Sequence, residues 1–164
     1  MPEHEAEASL SGNASVTISV TGMIGWHSDW RRSITLSDGL ATASRDLFED
    51  TGWWRGTHLY LHASGAYVVH EGQAGCFAFS VEPITFDVLV PASCAKTPDA
   101  AARLSADTPE YQGYPASAYY AGLFYIGRFV EAGSIQGVAG TRPSNPIIFQ
   151  THERQSEPEL PDLL

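Results

Sequence analysis

The chain carries six histidines, two cysteines and four tryptophans, and these are the residues whose types and spacing would support chemistry. A transition ion needs several imidazole or thiolate ligands about 2 Å from one point. On a strand, His58 and His62 share a face but stand ~13 Å apart at ~3.3 Å per residue, too far to grip one ion. His70-Glu71-Gly72-Gln73-Ala74 lacks the second histidine of the zinc-protease motif. Cys76 and Cys94 fit no paired metal spacing. The sequence therefore indicates no metal site and no cofactor.

Nucleophilic chemistry has as little support. Gly113-Tyr114-Pro115-Ala116-Ser117 and Gly133-Ser134-Ile135-Gln136-Gly137 both miss the Gly-x-Ser-x-Gly spacing of a nucleophile elbow. Cys94 has a neighbouring cation, Lys96, which would favour its thiolate. A two-residue loop at Ser64-Gly65 would set His58 opposite Glu71 and His62 opposite Tyr67. A His facing a Glu can relay a proton, although such cross-strand pairs more often stabilise a sheet by about 0.2–1 kcal/mol. Glycines 133, 137 and 140 lack the following Lys-Ser/Thr pair of a phosphate loop. Asn13-Ala14-Ser15 matches a glycosylation sequon, but no secretion signal accompanies it. No residue is assigned a catalytic role, and a small hydrolase with a His/Glu or Cys centre stands as the alternative.

The aromatic segments carry more information. Trp26 and Trp30 lie in Trp26-His27-Ser28-Asp29-Trp30-Arg31-Arg32, and Trp53-Trp54 precede Arg55. Trp offers a large flat face to sugars, cations and protein side chains, while Arg stacks on aromatics or forks onto carboxylates. Trp26, Trp30, Arg31, Arg32, Trp53, Trp54 and Arg55 are therefore the candidate binding residues. The competing role is closure of a β core by Trp with Arg packed over it.

Charge narrows the partners. The net charge is −10. Glu3, Glu5 and Glu7 contribute −3, while Glu153, Glu157, Glu159 and Asp162 against Arg154 contribute another −3. Much of the excess thus lies at the ends, which argues against a nucleic-acid mimic. With one lysine, Lys96, and scattered arginines, phosphate-backbone binding has no electrostatic source. No apolar run approaches the roughly 20 residues of a membrane helix. The acidic start has neither a basic n-region nor an apolar h-region. The expectation is a cytoplasmic chain with reduced thiols, whose partner is a protein or a glycan.

Strands must position these residues. Ser15-Val16-Thr17-Ile18-Ser19-Val20 alternates hydroxyl and β-branched residues, the period of a half-buried strand. Residues 33–37 and 40–43 flank Asp38-Gly39, a dipeptide suited to a type I′ turn, which would oppose Leu36 to Ala41, Thr35 to Thr42 and Ile34 to Ala43. That hairpin would bring the two Trp segments to one end. Residues 58–90 read as a four-strand antiparallel meander ending in 84–90. A strand buried on both faces is expected over 123–130, and a last strand over 146–150.

Helix is scarce: Thr97 and Pro98 start about two turns, residues 44–50 suit a short turn, and Pro115 can open another. The fold expected is mainly β, an antiparallel β-sandwich or partly open barrel with one or two short helices. The alternative is α+β, a single antiparallel sheet with packed helices. Residues 1–10 and 151–164 are expected to be mobile acidic tails around a single β-rich domain, 11–150. The function expected is a non-catalytic binding or interaction domain, with a structural subunit of a larger assembly as a further alternative.

Overall fold

The computed structural model describes residues 4–22, 30–47, 56–71, 76–89, 112–115, 122–132 and 146–154. Ten strands run through them: β1 His4–Ser9, β2 Ser15–Gly22, β3 Trp30–Ser37, β4 Thr42–Asp46, β5 Thr57–His62, β6 Tyr67–His70, β7 Cys76–Val81, β8 Ile84–Phe86, β9 Leu123–Glu131 and β10 Ile147–Thr151. They form two antiparallel sheets, one in the order β1-β2-β3-β4 and one in the order β10-β9-β5-β6-β7-β8. The fold is mainly β, and no described residue is helical. The expected helices at 97–104 and after Pro115 lie outside the described residues. Of the turn expected over 44–50, residues 44–46 are strand β4 instead. Chain contacts gather into two compact units, residues 1–56 with 81–84 and 129–149, and residues 57–80 with 85–128 and 150–164.

In the four-stranded sheet, period-2 alternation does what it dictates. Val16, Ile18 and Val20 of β2 and Ile34 and Leu36 of β3 are fully buried, while the intervening hydroxyl residues face outward. Register sets Thr17 beside Thr35 and Thr35 beside Ser44, whose hydroxyl oxygens lie 2.6 Å apart. Residues 4–9, expected in a mobile tail, are instead edge strand β1, paired with β2 from His4↔Val20 to Ser9↔Ser15. The reason is a period-2 pattern written in alanine and glutamate. Ala8 is buried, whereas Glu5 and Glu7 point outward and accept hydrogen bonds from Ser19 and Ser15. At the other end, Thr151 closes β10; the His152 N–H donates to the Ile126 carbonyl of β9, and the turn after it is closed by the Arg154 N–H donating to the Thr151 carbonyl.

The β3–β4 hairpin forms one residue later than expected. Leu36 pairs with Ala43 and Thr35 with Ser44, and the Asp38 N–H donates to the Ala41 carbonyl, so Gly39 and Leu40 make the tip. Gly39 takes a φ of 95°, and the Asp38 carboxylate accepts from the N–H groups of Leu40 and Ala41. Asp38 thus acts as the turn's hydrogen-bonding side chain rather than as one of its central residues. Moving a turn by one residue moves the register by two, which leaves every side chain on its expected face.

The meander over 57–86 is present as β5 to β8. Its last strand is shorter than the expected 84–90, because Asp87 adopts a positive φ of 57°. Val88 then returns to the sheet, its N–H donating to the Ala78 carbonyl, and packs on a core of Tyr60, Val68, Ala78, Leu123 and Tyr125. The expected strand over 123–130 is β9, buried from Leu123 to Phe129.

Candidate functional site

Of the seven residues expected to form a contact surface, Trp26, Trp53, Trp54 and Arg55 lie outside the described residues. Trp30 opens β3 with its backbone in register with Gly22, and Arg31 sits opposite Thr21. Arg31 is exposed, but Arg32 is 1% exposed. Arg32 therefore does not belong to an accessible contact surface. It shares strand parity with Ile34 and Leu36, so the alternation that buries them turns it inward too. The open end of the hairpin is tied by the Leu47 N–H, which donates to the Arg32 carbonyl.

The histidines are arranged differently from expectation. The β5–β6 loop has three residues: His62 N–H donates to Ala66, Gly65 N–H donates to His62, and Gly65 takes a φ of 93°. A positive-φ glycine closing a three-residue loop is the usual arrangement of such a hairpin. His58 consequently pairs with His70 rather than Glu71, and Leu61 rather than His62 pairs with Tyr67. A slip of one residue exchanges the two faces of a strand. The register thus does not set Glu71 opposite His58, and Glu71 accepts a 2.5 Å hydrogen bond from the Thr57 hydroxyl.

On the His58 face, register places His70 next to His58 and Cys76 next to His70. His58 Nδ1 lies 3.1 Å from the Tyr125 hydroxyl, and the Tyr125 ring packs at 5.3 Å against Tyr60. Burial, then the nearby Arg128 charge and His70, hold the His58 pKa down to about 3, and burial holds His70 down to about 4. Both imidazoles are neutral near neutral pH. A base so weak is a poor general base there, and both rings are shut from solvent. His62 is separate: its Nδ1 accepts the Ser64 N–H at 3.1 Å, so it serves its own turn.

Cys76 is disulfide-bonded, contrary to the expectation of reduced thiols, and the chain's other cysteine is Cys94. Its strand position with a buried neighbour gave no sign of this, because buried thiols and half-cystines occupy similar apolar surroundings. No group of three or more metal-ligating side chains gathers among the described residues.

Sequence reasoning passed over Tyr125 and Arg128. The signal for Arg128 was present: it is a cation inside an apolar run, Leu123-Phe124-Tyr125-Ile126-Gly127-Arg128-Phe129-Val130, where a charge is costly unless it has a use. Among the described residues no helix is long and apolar enough to cross a membrane. No family model, no curated protein and no solved structure matches the chain.

Proposed function

We propose that the chain is a non-catalytic binding domain that contacts a protein or glycan partner through the end of the β2–β3 pair where Trp30 and Arg31 lie. The observation that carries this reading is the division of the arginine pair. Arg32 is buried with the core, whereas Arg31 is displayed at the end of an outward face of hydroxyls, next in line to Thr21 and Ser33. An arginine that only capped the core would be covered like Arg32. An exposed one beside tryptophan can fork onto a partner's carboxylate. The buried histidines, neutral near neutral pH and facing each other across the strand pair, favour binding over hydrolysis. The Cys76 disulfide favours an oxidising compartment over the cytoplasm.

The test compares the full chain with Arg31→Glu on a glycan array and in crosslinking to candidate protein partners. A partner held by the parent and lost by the variant, at unchanged melting temperature, supports the reading. Turnover of a hydrolase substrate by the parent, abolished by His58→Gln in a folded variant, overturns it.

A further inference from the structure

The turn between β1 and β2 carries Asn13-Ala14-Ser15, the three-residue signal for an Asn-linked glycan. So short a motif recurs by chance, and it gains meaning from a surface turn and an oxidising compartment. The turn is present. β1 ends at Ser9 and β2 begins at Ser15, and between them the Leu10 N–H donates to the Ala14 carbonyl and the Ala14 N–H to the Ser11 carbonyl. Gly12, with a φ of 62°, supplies the left-handed residue that tightens it. Ala14 is buried, whereas Asn13 beside it is exposed, and the Asn13 side chain makes no hydrogen bond among the described residues. A Cβ on Gly39 would stand 2.8 Å from the Asn13 Cβ, so the glycine of the β3–β4 turn leaves the space in which the Asn13 side chain sits.

The compartment follows from the cysteine chemistry rather than from a leader. Cys76 is disulfide-bonded, and such bonds persist in the oxidising surroundings of secreted and cell-surface proteins, where Asn-linked glycans are also carried. We infer that Asn13 is a glycosylation site, its exposed amide carrying an oligosaccharide at the β1–β2 turn. The donor is an oligosaccharide held on a lipid diphosphate. A bond forms between Asn13 Nδ2 and the anomeric carbon of the sugar, the bond from that carbon to the phosphate oxygen breaks, the lipid diphosphate leaves, and the amide gives up one proton. In the folded chain the Ser15 hydroxyl donates to the Glu7 carboxylate at 3.3 Å. Transfer therefore belongs to the stage before β1 pairs with β2, while that hydroxyl is open to the transferase, and the exposed turn then accommodates the product. The inference rests on the oxidising compartment and is independent of the Arg31 surface.

The experiment is peptide mass spectrometry of the full chain recovered from the cells that make it, after treatment with a peptide N-glycosidase in heavy-oxygen water. The enzyme removes an Asn-linked glycan and leaves a heavy-oxygen aspartate in its place. We expect that label at position 13, with none in a sample kept from the enzyme. Ser15→Ala should abolish it and Ser15→Thr, which keeps the hydroxyl, should retain it. Both variants are read at the peptide, so neither result depends on how well the variant folds. An unlabelled Asn13 peptide overturns the site, as does a label that survives in Ser15→Ala, which would mark spontaneous deamidation. Thiol titration of the same material checks the compartment: free thiols at both Cys76 and Cys94 overturn the inference while leaving the Arg31 surface untouched.

Discussion

His58 stands directly across the β5–β6 pair from His70, and both imidazoles are buried in the same sheet. Two neutral side chains are tolerated there, but two cations would not be.

The first prediction follows from that pairing. Above pH ~6.5 both rings are neutral folded or unfolded, so they leave stability unchanged. As the pH falls below 6.5 the unfolded chain takes up protons that the folded chain refuses, until about 4 for His70 and about 3 for His58. Stability is therefore lost on acidification, on the order of 3 kcal/mol from His70 alone by pH ~4. Urea denaturation at a series of pH values measures this. The acid limb should be shallower in His70→Gln, and an unchanged slope in that variant counts against it.

Deletion of residues 1–9 should destabilise the chain. It removes β1, uncovers the edge of β2, and takes away buried Ala8 with the Glu5–Ser19 and Glu7–Ser15 bonds. A loss of about 2–4 kcal/mol is expected from the lost pairing and burial, read as a drop of roughly 4–16 °C in melting temperature. An unchanged melting temperature would mean that β1 contributes nothing.

Gly39→Ala should cost about 1–3 kcal/mol. The position has a φ of 95°, and a Cβ there would meet the Asn13 Cβ at 2.8 Å. Gly65→Ala shares the positive φ but has no atom within 4 Å of the added Cβ. The two variants compared by equilibrium unfolding separate backbone strain from collision, and Gly39→Ala should be the worse.

How much was legible differs between the two sheets for a physical reason. In the four-stranded sheet one face is apolar and the other hydroxylic. The pattern Val16, Ile18, Val20 against Ile34 and Leu36 therefore specified which residues are buried, even with the turn misplaced by one position. The inward direction of Arg32 was readable from the same parity. In β5 and β6 every residue is buried. No hydrophobic alternation then distinguishes one register from its neighbour, and His58 was assigned the wrong partner.

The sequence by itself determined that the chain is built of strands, where most of them run, and which face of the four-stranded sheet is covered, because side-chain alternation and turn residues act locally. Tertiary structure alone decided three things: that an alanine and glutamate segment pairs as an edge, that His58 meets His70 and Tyr125, and that Arg128 is buried. Each depends on what residues distant in the chain supply, a neighbouring strand edge, a loop length or a covering layer, and no local pattern carries that information.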